Sequence, residues 1–362
     1  MASKVYFASA RVPNYQNWWM PKESMARKME RVFYACGLDE ICSGEVALKL
    51  HMGEPGDTHY IRPIFAATLA DLVKKEGGRP TVIETSGMGW LANRTSEEKH
   101  LEAARRNGFT KETIGAEIRM IDGEFGLDNI PGSIVAKGLS DFDSMIVLSH
   151  VTGHIQAGFG GAIKNIGLGC VTKAGKYRVH HSEKPVIDKK KCTKCNKCLE
   201  ICPTQGAIEE YGVTDSCTLC SLCLDVCEPC AIKAGFRDPL SLTKMVAENA
   251  AAVLKHMGSV GFVNLAIDVL PHCDCHPFSD VPIVPDIGVL ASLDALAVDR
   301  ASVDKVNEVV GVEGSAASDS SALEPGSDKF KAVNPRTYWK AQLERAEELG
   351  IGSQKYRIEV VK

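Results

Sequence analysis

The sequence predicts an α/β fold, built as two mixed α/β halves with a cysteine-rich module inserted between them. Strand-like and helix-like apolar patterns alternate along the first 150 residues, and the alternation resumes after residue 236. Between them lies a run dense in cysteine and poor in helical periodicity. The boundaries fall at residues 1–183, 184–236 and 237–362. A chain of 362 residues with 44% hydrophobic and 24% charged residues has the composition of a folded, water-soluble protein. Lys and Arg number 42 against 46 Asp and Glu, a net charge of −4, which argues against a basic nucleic-acid-binding surface. No apolar run approaches the roughly 18 residues of a membrane helix. The N-terminal stretch reads as a first strand, not a signal peptide.

Val5–Ala8 and Val46–Leu50 read as strands. Between them Glu23–Cys36 has helical spacing through Met25, Met29, Val32 and Phe33, and Gly37 stops it. Arg62–Glu76 is a second helix, with Ile64, Phe65, Leu69, Leu72 and Val73 on one side and Gly77-Gly78 as its end. Pro80–Thr85 is a strand that ends in the glycine turn Gly87-Met-Gly89-Trp90. Glu97–Asn107 is helical up to Gly108, and Ile118–Ile121 and Ser144–Ser149 are further strands. After the module come a helix at Leu240–Met257, a strand at Val260–Val269 and a helix at Ser292–Val310. Gly311–Lys329, rich in Ser, Ala, Gly and Asp, reads as a surface loop. A helix at Arg336–Leu349 and a strand at Tyr356–Val361 close the chain. Alternation of this kind favours mostly parallel strands.

Eight of the 14 cysteines lie between Cys192 and Cys227. Cys192-x2-Cys195-x2-Cys198-x3-Cys202-Pro203 repeats as Cys217-x2-Cys220-x2-Cys223-x3-Cys227, each cysteine recurring 25 residues on. A C-x2-C-x2-C turn wraps three thiolates around one face of an iron–sulfur cubane, and the x3 spacer carries the fourth cysteine to the other cluster. The expected ligand sets are therefore crossed. One [4Fe-4S] cluster takes Cys192, Cys195, Cys198 and Cys227; the other takes Cys217, Cys220, Cys223 and Cys202. Paired zinc knuckles use C-x2-C units with longer gaps and fit this spacing poorly. The pattern resembles that of bacterial two-cluster ferredoxins, including Pro203 and the Gly206-Ala-Ile208 and Ala231-Ile232 tails. Cys230 is an extra thiol, since the second repeat reads Cys227-Glu-Pro-Cys230 where the first has Cys-Pro. Metal-bound thiolates in a large chain suit a reducing cytoplasm. Lysines 184, 189, 190, 191, 194 and 197 surround the first set, either to dock an acidic redox partner or as a solvated face that offsets cluster charge. Cys36 and Cys42 read as buried structural thiols.

Immediately before the module, Ser149-His150 runs into Gly158-Phe-Gly160-Gly161, and this loop opens a helix carrying Lys164 and Asn165. Exposed backbone N–H groups at such a start suit an anion, to which Lys164 adds charge. His154, Lys164 and His180 are the candidate catalytic residues, and Gly160, Gly161, Lys164 and Asn165 the candidate ligands of an anionic cofactor. The glycines lack the spacing and downstream acid of a nicotinamide or flavin fingerprint. Further on, His272-Cys273-Asp274-Cys275-His276 offers soft and borderline donors, which makes Cys273, Cys275 and His276 candidates for a further metal.

The His154…Gly-Gly-Ala-Ile-Lys-Asn stretch, the cysteine module and Cys273-Asp-Cys275-His276 together resemble the domain-of-unknown-function family 362, whose members often carry a ferredoxin-type module. A more distant likeness is to the lactate racemase family, whose nickel-pincer nucleotide sits between two α/β domains. That resemblance implies cofactor binding at Arg62, which with Pro63 begins a series continued by His154, Lys164 and His180. The second catalytic histidine of that family has no counterpart in Gly87-Met-Gly89-Trp90. Three functions fit these residues. The first is an iron–sulfur oxidoreductase that passes electrons through two [4Fe-4S] clusters to a substrate or cofactor in an interdomain cleft. There Lys164 holds an anionic group and a histidine supplies protons. The second is a ferredoxin-type electron-transfer or partner-binding protein without catalysis of its own. The third is a nickel-pincer-type isomerase with an accessory redox module. The expected partners are a redox protein or a small molecule, with no nucleic acid and no membrane.

Overall fold

Strands from both sides of the cysteine module build a single sheet. The computed structural model describes residues 2–12, 19–89, 93–209 and 211–362, so Trp90 of the glycine turn lies outside the described residues. Before the module come β1 (Ser3–Ser9), β2 (Glu45–Lys49), β3 (Arg79–Glu84), β4 (Glu117–Met120) and β5 (Ser144–His150). After it come β6 (Val260–Ala266), β7 (Gly288–Ser292) and β8 (Tyr356–Val360). Their order across the sheet is β8-β1-β7-β6-β5-β2-β3-β4. All neighbours pair in parallel except β7, which runs antiparallel to both β1 and β6. The α/β class and the mostly parallel pairing are as the sequence implies. The two halves share one sheet, with β6 from the second zipped to β5 from the first.

Strand residues alternate between two helical layers, as a pleated ribbon requires. Val46, Leu48, Val82, Ile146 and Leu148 face a core with α1 (Met25–Cys36) and α2 (Pro63–Lys75). Ala47, Ile83, Met145 and Val147 face the opposite core, built with α4 (Ala162–Gly169), α6 (Pro239–His256), α7 (Ala295–Glu308) and α8 (Trp339–Glu348). Helix α3 (Glu97–Arg106) packs beside β4, and α5 (Lys173–His180) beside α6. Capping fixes several starts. The Ser24 side chain accepts from Arg27 N at 3.3 Å, and Asp238 accepts from Ser241 N at 2.9 Å ahead of Pro239. Gly37, at φ 77°, ends α1 in the left-handed conformation that glycine tolerates.

Two expectations are corrected. Ser292 ends strand β7 instead of starting a helix, which begins at Ala295. Gly311–Lys329 is no free loop, because Ala317 is buried in the core and Lys329 is enclosed, donating to Asn307 O and Glu324 O. No helix among the described residues is long and apolar enough to cross a membrane.

The module is small and its repeat is visible in the backbone. Short helices at Lys197–Glu200 and Leu222–Asp225 follow the two C-x2-C-x2-C turns. Lys194 and Asn196 in the first turn, and Leu219 and Ser221 in the second, all adopt positive φ near 60°. Non-glycine residues do this at a cost, so the same two-residue signature twice over marks a turn wound for its cysteines. The module docks on the body through a buried ion pair. Lys173 on α5 donates to Asp225 at 2.5 Å, and Gly89 N donates to the other oxygen of Asp225 at 2.8 Å. Lys173→Met would leave that carboxylate buried without its cation, and the expected loss is about 3–5 kcal/mol in chemical denaturation. A change within about 0.5 kcal/mol, typical of a surface site, would show that the module is held elsewhere.

Candidate functional site

The sheet's carboxyl edge, the hairpin Thr152–His154/Gly158–Gly160, α4, α5 and the module enclose a cavity of about 570 Å³. It draws on the body through Lys49, Glu84, Arg94, His154, Lys164 and Lys176, and on the module through Lys191, Ser221, Leu224, Cys230 and Lys233. The cleft is thus bounded by the sheet edge and the module, not by two separate α/β domains. Clefts at the carboxyl ends of parallel strands are where open α/β sheets bind ligands.

Most of the buried charges here are already engaged. Lys49, fully buried at the end of β2, pairs with Glu84 at 3.0 Å and donates to Asn165 Oδ1 at 2.7 Å. The Asn165 amide then donates to Leu148 O and Ser149 Oγ, so both its N–H groups are used in tying α4 to β5. Arg94 pairs with buried Glu54 at 2.6 Å. Lys176 donates to Thr85 Oγ1 at 2.7 Å and to Ser86 O. Burial lowers the Lys176 ammonium to about 8.

Lys164 differs from these. It makes no hydrogen bond or ion pair with another described residue, and its stem lies over Gly160 as it faces the cavity. Burial lowers its pKa to about 8, with Asp274 pulling the other way. Among the described residues, it is the buried lysine of the cavity left available for a ligand.

The start of α4 does not bind an external anion. Asp299 of α7 reaches it first, accepting from Ala162 N at 2.7 Å and Ile163 N at 2.9 Å. Its Oδ1 also accepts from Asn264 at 2.8 Å, and burial raises the carboxyl to about 6. Gly161 makes room for this carboxylate, since a Cβ there would stand 2.3 Å from Asp299 Oδ1. The expectation of a cofactor anion at Gly160-Gly161 is therefore corrected: the protein's own carboxylate fills the helix start. Arg62 lies off the cavity, half exposed and paired with Asp268 at 2.5 Å.

The histidines sort by hydrogen bonding. His154 Nδ1 accepts from Gln156 N at 3.2 Å and Ala157 N at 2.9 Å, so its proton sits on Nε2. Burial and the nearby Lys164 hold its pKa far below the ordinary histidine value. His180 lies on the same wall, with Nδ1 donating to Gln156 Oε1 at 3.1 Å, and burial lowers it to about 3. Both rings are neutral near pH 7. His150 is the reverse case. Its Nδ1 and Nε2 face Asp274 Oδ1 and Ile267 O, both at 2.8 Å, so both nitrogens carry protons. Burial opposes that charge, but Asp274 outweighs it and raises the pKa to about 9.

Asp274 is the middle residue of Cys273-Asp274-Cys275, and both cysteines line the cavity. His154, Cys273 and Cys275 each bring a ligand atom within 4.8 Å of the others, compact enough for a single ion. In this structure the two sulfurs are joined as a disulfide, so a metal requires their reduction first. His276, the expected third donor, instead stacks on Phe278 with ring centroids 5.2 Å apart.

The module's cysteines lie in two adjoining groups, with Cys223 common to both. Cys202 lines one small pocket with Cys217, Cys220 and Cys223. Cys192, Cys198 and Cys227 pack around Ile187 and Ile232, and Cys198 feels the charges of Cys195 and Cys227. Among the six lysines near the first set, Lys184 pairs with Asp215, Lys197 with Glu228, and Lys189 lies over the Tyr211 ring.

Residues 46–304 match the family described as Domain of unknown function (DUF362). The chain belongs to DUF362. Among curated proteins, none matches the sequence. Two solved structures resemble this DUF362 chain. One is a protein from Thermotoga maritima, with 10% identity, a TM-score of 0.34, and coverage of 66% of this chain and 50% of that one. The other is the lactate racemase apoprotein from Thermoanaerobacterium thermosaccharolyticum, with 12% identity, a TM-score of 0.34, and coverage of 74% and 56%. The DUF362 chain spans about half the length of these structures.

The residues that sequence reasoning missed are Lys49, Glu84, Lys176, Asp299 and the His150–Asp274 pair. Lys49 and Glu84 carried a signal, each being a charge at the end of an apolar strand. Gly161→Ala tests the helix start. The displaced Asp299 carboxylate is expected to cost about 1–3 kcal/mol in thermal unfolding. Gly160→Ala, whose Cβ would meet its nearest neighbours at 3.4 Å, is the tolerated control.

Proposed function

We propose that this DUF362 protein is an iron–sulfur oxidoreductase that carries electrons through two [4Fe-4S] clusters to an anionic small molecule in the cavity. One observation carries the reading: the cysteine module itself forms a wall of the cavity into which Lys164 projects. An electron-transfer module that only docked partners would have no need to close a pocket. Cys192, Cys195, Cys198 and Cys227 would hold one cluster, and Cys202, Cys217, Cys220 and Cys223 the other. The pocket shared by Cys202 with Cys217, Cys220 and Cys223 supports this crossed assignment. Clusters of this type supply single electrons at low potential.

The chain's own groups do the rest. Lys164 binds and orients the anionic group, and its depressed pKa makes it able to give up a proton near neutral pH. The His154 Nε2–H, fixed by two backbone amides, offers a neutral hydrogen bond to an oxyanion. Asp225, between Cys223 and Cys227, fixes the module against α5 and so sets its distance from the cavity. A reducing cytoplasm is the setting such thiolate ligands require.

Anaerobic purification should yield about eight irons and about eight acid-labile sulfides per chain, with a paramagnetic signal after dithionite. Cys198→Ala should remove about four of the irons. An iron-free protein that folds normally would end the proposal. Anion affinity should also depend on pH with a definite sign. Lys164 is charged below about 8 and neutral above it, so phosphate or a small carboxylate should bind less tightly as pH rises through that value. Lys164→Gln should weaken binding by roughly tenfold or more and flatten this dependence in calorimetric titrations.

A further inference from the structure

We infer that Cys273 and Cys275 form a redox-active dithiol/disulfide couple in the cavity wall, a centre that takes up and returns an electron pair. The inference goes beyond the iron–sulfur reading and stands without it.

The first observation is which cysteines are joined. The chain's other twelve are free, and this pair alone is bonded. Disulfides stabilise a fold by closing long loops, and the stabilisation grows with loop length. This one joins residues two positions apart, so it restricts almost nothing in the unfolded chain. A structural staple is a poor account of it.

The loop holds its place without the S–S bond. The Asp274 carboxylate is fixed by His150 at 2.8 Å, and its carbonyl accepts from Glu54 N at 2.9 Å. His276 N donates to Cys273 O at 3.3 Å. Opening the disulfide therefore leaves both sulfurs on the cavity wall. Elsewhere in the body the thiols are inert: Cys36, Cys42 and Cys170 are buried, and burial raises each to about 12.

The surroundings suit exchange chemistry. Cys275 is the more exposed residue and Cys273 the buried one. A ring nitrogen of His154 lies within 4.8 Å of both, and the proton of that ring is on Nε2. Reduction by a small dithiol then proceeds in two displacements. A thiolate of the reductant attacks Cys275 Sγ, forming a mixed disulfide. The Cys273–Cys275 bond breaks, and Cys273 leaves as a thiolate that accepts a hydrogen bond from His154 and then a proton from water. The reductant's second thiolate attacks its own sulfur in the mixed disulfide. It releases the Cys275 thiolate, which is also protonated, together with the oxidised cyclic reductant. Two electrons and two protons pass from dithiol to protein.

The test uses the full chain, purified without oxygen and equilibrated in buffers of reduced and oxidised dithiothreitol. Free thiols are alkylated, and the tryptic peptide His256–Arg300, which carries Cys273 and Cys275 and no other cysteine, is weighed. The doubly alkylated fraction should rise with the reductant ratio as one two-electron step. His154→Ala should slow reduction roughly tenfold, as loss of a hydrogen bond to a charged sulfur implies. His154→Gln, which keeps a donor, should restore part of the rate. In Cys275→Ser, Cys273 has no partner and should be alkylated at every ratio, with an unchanged thermal unfolding midpoint as the check on the fold. A peptide that is doubly alkylated at every ratio would overturn the inference. So would a disulfide untouched by excess reductant in native protein, or reduction that instead traps one zinc per chain on Cys273, Cys275 and His154. Iron is counted in the same samples, so loss of the cluster assignment and loss of this one are read separately.

Discussion

The site depends on one constraint, that charge buried at the carboxyl edge of the sheet must be compensated from within the protein. An ion removed from water costs several kcal/mol unless a partner and hydrogen bonds replace its hydration. Each of the pairs Lys49–Glu84, Arg94–Glu54, His150–Asp274 and Lys173–Asp225 meets that demand by joining segments distant in sequence. Lys49–Glu84 crosses adjacent strands, and through Asn165 it fixes α4. His150–Asp274 carries β5 to the loop that holds Cys273 and Cys275. Lys173–Asp225 carries α5 to the cysteine module. The cavity is the space these pairs frame.

The architecture was legible wherever the signal was local. Helices α1 and α2 show their apolar stripe and their glycine stops in the sequence itself, and the cysteine repeat needs only a count of spacings. Strand β7 was not legible, because Gly288–Ser292 is buried at every position and so lacks the alternation that betrays a half-buried strand. The cavity was legible in five of its lining residues, Lys164, His154, His180, Cys273 and Cys275, and less so in what positions them. Asp299 sits inside α7, where an acid reads as an exposed helix face, yet its partners Ala162 and Ile163 lie more than 130 residues earlier in the chain. Nothing local announces such a contact. The same holds for Arg62, whose place in a motif-like Arg-Pro pair says nothing of the Asp268 that engages it.

The module and the body are coupled at one residue of the repeat. Asp225 lies in the x3 spacer between Cys223 and Cys227, where the first repeat has Glu200, exposed on its short helix. The repeat is therefore symmetric in its cysteines and asymmetric in its docking. Ser221 and Leu224, beside that anchor, reach the cavity, while their counterparts Asn196 and Leu199 are absent from its lining. Duplication supplied two equivalent turns, and burial of one carboxylate against Lys173 chose which of them faces the body.

Lysine makes the same point within the cavity. Lys49 and Lys176 carry their charges into the wall and use them on Glu84, Asn165, Thr85 and Ser86. Either could be mistaken for a ligand-binding group if proximity were the criterion. What separates Lys164 is that no described residue accepts from it, so its desolvation is offset only in part, by the charges of Asp274 and Glu84. An ammonium in that position relieves the cost either by losing its proton or by meeting an anion from outside, and a pKa near 8 keeps both routes open at neutral pH. Among the described residues, Lys164 is thus the buried lysine of the cavity that no hydrogen bond or ion pair engages. It lies near a neutral histidine donor, which is itself close to a sulfur pair. That asymmetry, rather than the number of basic residues, gives the pocket a chemical direction.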